Sequence, residues 1–386
     1  MNARFRSGII GTGFMGSVHA HAVRVAGGVL SCVASTSPER SLEAAALLRA
    51  DRAAASVEEL IAAADVDVVH ICTPNSFHAQ FAEMALQAGK HVVCEKPLAT
   101  SLDDARRLAA AAGAGDLVAT VPFVYRYYAT VREARARIAD GVAGPLRLLH
   151  GSYLQDWLAD NEDMNWRVDS EAGGPSRAFA DIGVHWCDLL EFTTGHRITR
   201  LTARLFTAFE RRGSGARAGV VGTEDGATVL FETDRGAIGS VVVSQVSLGR
   251  KNRLWFSFDG DAESYSFDQE LPERLWIGGR AENRILLRDR DALSAAAKRF
   301  SVLPSGHPQG YQDCFNAFVA DFYAAIEGQQ PDGLPTFADG LRAASITAAV
   351  MESAATESWV EVPLWSPRHP TGPRLASLEV SRRSAN

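Results

Sequence analysis

From Arg6 to Pro122 the chain alternates short apolar runs with segments of helical period. Arg6 to Ile10 reads as a strand and Phe14 to Ala26 as a helix. Val29 to Ala34 is a second strand, followed by a helix from Pro38 to Leu48 with Ser37 as N-cap and Pro38 in its first turn. A short helix runs from Val57 to Ala63 behind Ser56. Val66 to Cys72 is a continuous apolar strand, Phe77 to Ala88 a helix stopped by Gly89, and His91 to Cys94 a strand. Ser101 caps a helix from Leu102 to Ala112, and Leu117 to Pro122 closes the series as a strand. Strands alternating with helices predict a parallel sheet covered on both faces.

After Phe123 the texture changes. A helix from Ala129 to Ala139 ends before Gly141. Strand-like runs follow at Arg147 to Leu154, Ile198 to Phe209, Ala227 to Thr233, Ala237 to Ser247 and Asn252 to Gly260, with Asp234-Arg235-Gly236 as a turn signal. They predict a large, mostly antiparallel sheet. One helix interrupts them, Ala178 to Thr194, stopped by Gly195. Two more close the fold, Tyr311 to Glu327 and Phe337 to Thr356. Ser366 to Asn386, rich in Pro, Ser and Arg, reads as a disordered tail. The fold class is therefore α/β in two domains, 1–123 and 124–365, with 366–386 as the tail.

Composition narrows the function. The 386 residues carry 39 Lys and Arg against 46 Asp and Glu, a formal charge of −7. That argues against nucleic-acid and anionic-membrane partners, which select basic surfaces. No apolar stretch is long enough to span a bilayer. The opening Met1-Asn2-Ala3-Arg4-Phe5-Arg6 leads into a buried strand rather than the apolar core of a signal peptide. The five cysteines lack metal-ligand spacing, and Cys32, Cys72 and Cys94 sit in apolar runs. They read as reduced core residues of a cytoplasmic protein, with no disulfide and no metal site.

Gly11-Thr12-Gly13-Phe14-Met15-Gly16 is a GxGxxG turn between the first strand and the first helix. In that context the glycines allow a tight turn and close backbone approach to a pyrophosphate at the helix N-terminus. At the end of the second strand an acid would bind a ribose 2′-hydroxyl. Here Ser35, Thr36 and Arg40 stand instead, which favours a 2′-phosphate and hence NADP over NAD; alternatively Ser37 simply caps the helix and Arg40 is a solvated charge.

Thr73-Pro74-Asn75-Ser76-Phe77-His78 lies just past another strand end, where ligands of open α/β sheets bind. Asn75 and His78 either touch the cofactor there or serve as a helix cap and a first-turn surface residue. Cys94-Glu95-Lys96-Pro97 follows the next strand end. A lysine over a cofactor can hydrogen-bond a reacting hydroxyl and stabilise alkoxide character as hydride leaves. Asp181 and His185, four apart on the expected helix, project from one face. The histidine can accept the hydroxyl proton and the carboxylate can orient either partner.

Taken together, GIIGTGFMGSVHA, HICTPNSFH, AGKHVVCEKPLA and GGPSRAFADIGVHWCDLLEF resemble the successive signatures of the glucose–fructose oxidoreductase/inositol dehydrogenase/MocA (Gfo/Idh/MocA) family. The resemblance spans Arg6 to Pro363. It implies a Rossmann dinucleotide-binding domain followed by a substrate-binding and oligomerisation domain. Lys96 and His185 then frame the reacting carbon, with Asp181 beside them. It also carries Tyr125, Trp166 and Arg167 into the cofactor site, although asparagine is commoner in the family where Tyr125 stands. Ser35 to Arg40 and the Trp166-Arg167 pair are similar to the NADP-dependent branch around anhydrofructose reductase. Tyr153 to Trp157 and Asn165 to Arg167 resemble members acting on levoglucosan and related sugars, several of which use NAD. On this resemblance Tyr153, Trp157, Arg167 and Tyr311 line the substrate pocket with Lys96, Asp181 and His185.

The expectation is an NAD(P)-dependent dehydrogenase or reductase acting on a secondary hydroxyl or ketone of a sugar, glycoside, polyol or cyclitol. A trans-dihydrodiol-type dehydrogenase would share the machinery with a more apolar pocket. A dinucleotide-sensing regulator that binds a protein partner would not need Lys96, Asp181 and His185. The apolar density of the later strands, Ala237 to Val243 above all, predicts a homodimer or homotetramer packed through the open face of the second sheet. The alternative is that Leu271 to Pro308 folds back over that face.

Overall fold

A computed structural model describes residues 5–213 and 219–364. The expected tail, 366–386, and residues 1–4 lie outside the described residues. The first domain holds a parallel sheet of β1 (Arg6–Ile10), β2 (Val29–Ala34), β3 (Arg52–Ala53), β4 (Val68–Ile71), β5 (His91–Cys94) and β6 (Ala119–Thr120), in the order β3-β2-β1-β4-β5-β6. Its helices are α1 (Phe14–Val25), α2 (Pro38–Leu48), α3 (Val57–Ala62), α4 (His78–Gln87) and α5 (Leu102–Gly113). The caps foreseen at Ser37, Ser56 and Ser101 all form, each hydroxyl accepting from the backbone N–H three residues on. The strand order reverses between β1 and β4, so the loops after these two strands diverge and leave a crevice. The last strand is shorter than its apolar run at both ends: the Val118 N–H donates to the His91 ring at 3.0 Å, and Pro122 has no N–H to give.

The second domain opens with α6 (Ala129–Ala139), β7 (Leu146–Leu154), α7 (Ser170–Gly173) and α8 (Val184–Thr194). Strands β8 (Ile198–Phe206), β9 (Arg211–Arg212), β10 (Gly219–Val220), β11 (Gly226–Thr233), β12 (Ile238–Ser244) and β13 (Arg253–Gly260) follow. After them come β14 (Glu263–Asp268), β15 (Arg274–Gly279), β16 (Asn283–Leu287), α9 (Ala295–Lys298), α10 (Tyr311–Ile326), α11 (Phe337–Thr356) and β17 (Val360–Glu361). Nine strands make one sheet, β16-β15-β14-β13-β7-β12-β11-β8-β17, antiparallel except for the β7/β12 pair. β9 and β10 form a separate ribbon.

The central strands alternate. Leu149 and Tyr153 of β7, Val241 and Val243 of β12, and Phe256 and Phe258 of β13 point into the core beneath the helices. Leu148, Leu230, Ile238 and Val242 point the other way and are 40–59% exposed. The structure decides one alternative left open by the sequence and changes one expected element. Leu271 to Pro308 does not fold over this open face: it adds β15 and β16 to the sheet edge and then packs α9 on α6. The expected helix Ala178 to Thr194 is not uniform either, for Phe179–Gly183 is a wider π-type turn that runs into α8. Helices α10 and α11 return to the first domain, against α1 and α5, where Tyr323 Oη lies 2.9 Å from Ser7 Oγ. No described helix is long and apolar enough to cross a membrane.

Candidate active site

The crevice between β1 and β4 opens into a cleft of about 1310 Å³ that runs on beneath the second domain. Its floor is the glycine turn. Gly11 has a φ of +89°, and a Cβ there would stand 2.5 Å from the Cys72 carbonyl oxygen. Gly16 packs α1 onto the turn, since a Cβ would lie 2.4 Å from the Gly11 oxygen. It is the one expected cofactor-site residue that does not line the cleft; it shapes the turn from behind. At Gly13 a Cβ would meet nothing within 4 Å, so that backbone faces open space at the start of α1. A turn bare of side chains, at a helix N-terminus, fits a pyrophosphate.

Thr12, Phe14 and Met15 line the cleft beside Gly11 and Gly13. Ser35, Thr36 and Arg40 line its far end, where Thr12 Oγ1 donates to Ser35 Oγ at 3.1 Å and Arg40 Nη1 to Thr36 Oγ1 at 3.2 Å. Glu43, which the sequence pattern does not single out, lies at the same end, one turn of α2 beyond Arg40.

Thr73, Asn75 and His78 also border the cleft. Asn75 caps no helix: it sits in a 3₁₀ turn and its Nδ2 donates to the Gly173 carbonyl at 2.8 Å, linking the two domains. His78 is buried rather than a surface residue, with ring nitrogens 2.7 Å from Pro97 O and 3.0 Å from Thr73 O. Its imidazole ties the two strand-end loops together. Glu95 lies deeper, with Oε1 3.0 Å from His19 Nε2 and Oε2 accepting from the Lys96 backbone N–H at 3.2 Å. His19 Nδ1 is in turn 3.0 Å from His70 Nδ1. This buried Glu95–His19–His70 chain supports the Lys96 loop from below, and the sequence pattern gives no hint of it.

Lys96 reaches across to the second domain. Its Nζ donates to Asp181 Oδ1 at 2.6 Å and to the Asp181 carbonyl at 3.0 Å. Arg167 Nε stands 3.3 Å from the same Oδ1, and its guanidinium stacks on the Trp166 ring. Burial alone would raise the Asp181 carboxyl; Lys96 and Arg167 override it and hold the group well below the ordinary carboxylate range.

His185, one turn further on, lies against the Tyr125 ring edge at a centroid distance of 4.9 Å. Its Nδ1 is buried and has no partner among the described residues. Burial first, and the Lys96 charge second, push its pKa well below the ordinary imidazole value, so the ring is neutral at pH 7.

The opposite wall is a ladder of hydrogen bonds. Tyr125 and Tyr153 join through their hydroxyls, Tyr153 Oη donates to Asn252 Oδ1 at 2.7 Å, and Gln155 Nε2 donates to the same oxygen at 2.8 Å. Trp157 Nε1 closes the row on Gln155 Oε1 at 2.7 Å. Asn252 and Gln155 are absent from the sequence expectation, though Gln155 follows Tyr153 by two at the end of β7, the spacing that keeps a strand residue on one face. Tyr311, at the first turn of α10, closes the cleft above Met15. No group of His, Cys, Asp and Glu among the described residues could hold a metal ion.

Residues 5–123 match the model of an oxidoreductase family with an NAD-binding Rossmann fold, and residues 131–266 match the GFO/IDH/MocA C-terminal domain. Two such domains around one cleft are the architecture of an NAD-dependent oxidoreductase that acts on CH–OH groups. The chain belongs to the Gfo/Idh/MocA family.

The levoglucosan dehydrogenase of Pseudarthrobacter phenanthrenivorans is 32% identical to it over 384 residues, spanning 92% of this chain and 97% of that one. The 1,5-anhydro-D-fructose reductase of Ensifer adhaerens is 31% identical over 348 residues, spanning 88% and 93%. A solved levoglucosan dehydrogenase in complex with NADH and L-sorbose superimposes with a TM-score of 0.88 at 30% identity, over 94% of this chain and 100% of that one.

Proposed function

We propose that the protein oxidises a secondary hydroxyl of a sugar, glycoside, polyol or cyclitol, or reduces the matching ketone, with Lys96 and His185 handling the proton. The observation that carries this reading is the meeting, in one cleft, of an ion-paired lysine and a neutral, unpartnered histidine. A bound nicotinamide supplies or accepts the hydride at the substrate carbon. In the oxidative direction His185 takes the hydroxyl proton. The Lys96 ammonium donates a hydrogen bond to the same oxygen and stabilises its developing negative charge. Asp181 anchors Lys96 and keeps it aimed. In reduction the same groups act in reverse.

The wall of Tyr153, Gln155, Trp157 and Asn252 offers hydroxyl and amide groups between aromatic faces, which suits a polyhydroxylated ring better than an apolar dihydrodiol. Levoglucosan dehydrogenase and 1,5-anhydro-D-fructose reductase as relatives support a carbohydrate substrate. For the cofactor we infer a preference for NADP. Thr36 and Arg40 stand together at the adenosine end, and no acid ends β2. We also infer a homodimer or homotetramer, paired through the open face bearing Leu148, Leu230, Ile238 and Val242. The test of the activity is a screen of sugars and polyols with NAD and NADP, read by the reduced-nicotinamide absorbance. Binding of dinucleotide with no turnover on any of them would favour a sensor and overturn the proposal.

A further inference from the structure

Gln245 follows β12 directly and is fully buried behind Asp181, outside the cleft lining. Its Nε2 donates to Asp181 Oδ2 at 2.8 Å, and its Oε1 accepts from Arg177 Nη1 at 3.4 Å. The two partners settle the amide orientation, for a carboxylate only accepts and a guanidinium only donates. Arg177 is buried as well and is fixed by Asp225 and by Thr223 Oγ1, the latter at 3.1 Å. Asp225 also takes Arg212 of β9 at 2.7 Å.

The backbone of Gln245 is equally engaged. Its N–H donates to Asp225 O at 2.9 Å, and its carbonyl accepts from Leu158 N–H at 3.1 Å. One residue thus grips the Asp181 carboxylate by its side chain and the Trp157 loop by its main chain.

We propose that Gln245 is a positioning residue of the reaction: it holds Asp181 by Oδ2 so that Oδ1 stays on Lys96, and it passes to that carboxylate the orienting pull of the buried Arg177. The inference rests on the proposed role of Lys96 and His185. An aspartate carboxylate turns freely about its last side-chain bond. Lys96 and Arg167 both hold Oδ1, and only Gln245 holds Oδ2 among the described residues. Without that donor the carboxylate loses a charge-assisted hydrogen bond in a buried place. It is then free to swing off Lys96, whose ammonium follows it out of line with the substrate oxygen. The charged or titratable groups that face Asp181 are Lys96 from the loop after β5, Arg167 ahead of α7, His185 of α8, and Arg177 through the amide. Tyr125, Tyr153 and Tyr311 are neutral, with hydroxyl pKa values pushed up by burial.

The test compares wild type with Gln245→Met, which keeps the volume and removes the donor, and with Gln245→Glu, which keeps a partner for Arg177. Crystal structures of the variants should show the Asp181 carboxylate rotated and Lys96 Nζ displaced from Oδ1. Turnover should fall roughly 10- to 100-fold, the scale of a lost hydrogen bond to a charged group, with the KM for cofactor unchanged. In Gln245→Glu the acid limb of kcat should also move to higher pH, because a second negative charge in this place favours the protonated forms of both Asp181 and His185. Should Gln245→Met fail to fold, Gln245→Glu decides. An unmoved carboxylate, or an unchanged kcat, overturns the inference. Wild-type protein that turns over no sugar would overturn the proposed function instead, and the variant structures would still judge the grip on Asp181.

Discussion

Lys96 and Asp181 lie 85 residues apart in the chain, yet the Lys96 ammonium holds both the carboxylate and the backbone carbonyl of Asp181, at 2.6 and 3.0 Å. The double contact fixes the lysine head in direction as well as in place. A single ion pair with a freely turning carboxylate would leave it mobile.

Replacing Lys96 or His185 with alanine should therefore lower kcat by at least about 100-fold, the usual scale for a positioned acid–base group. The dissociation constant for NAD(P) should change little, because the glycine turn that fits a pyrophosphate is untouched. Steady-state kinetics beside equilibrium cofactor binding checks both. Near-normal turnover in either variant would remove that residue from the chemistry.

The pH profile follows from His185. Burial and Lys96 depress its pKa, so the neutral base persists below the ordinary imidazole value of about 6.5. In the oxidative direction kcat should stay level as pH falls through that value, and drop only at more acid pH. A limb at or above pH 6.5 would show that the working base is another group.

Cofactor choice is tested at the end of β2. Wild type should bind NADP more tightly than NAD. Arg40→Ala should weaken NADP while leaving NAD nearly unchanged. Ser35→Asp should reverse the order, since a carboxylate there repels a 2′-phosphate and accepts from a 2′-hydroxyl. Titrations with both reduced cofactors decide, and a wild-type preference for NAD would make Arg40 a surface charge.

The open face of the large sheet predicts assembly. Wild type should sediment as a dimer or tetramer at micromolar concentration. Leu230→Asp and Ile238→Asp, each placing a charge among exposed apolar side chains 50% and 59% accessible, should release monomers that keep their far-ultraviolet circular dichroism. A wild type that sediments as a monomer at all concentrations would refute the interface.

The parts of this architecture that sequence reveals are those written in local chemistry. Caps at Ser37, Ser56 and Ser101, the glycine turn and the strand–helix alternation all depend on neighbours a few residues away. The late strands carry such a signal too: in Ser264-Tyr265-Ser266-Phe267 the two aromatics are buried and the two serines are not. The wall and support of the site are different. Asn252, Gln245, His19 and His70 are single polar residues in or beside apolar elements, with no spacing that ties them to Tyr153, Asp181 or Glu95. Their partners are brought in by tertiary packing alone. The π-type turn at Asp181 is hidden for a related reason, since its residues suit a regular helix equally well.

The Lys96–Asp181 contact joins a side chain of the first domain to one of the second, so neither domain owns the chemistry. A crossover between two related genes near the Phe123 codon would yield an active chimera only if both parents set lysine and aspartate in the same relative pose. Divergence within either half is thus disciplined by the other. The outward-facing strand positions, on the far side of the sheet, escape that constraint and answer instead to the subunit contact proposed for them.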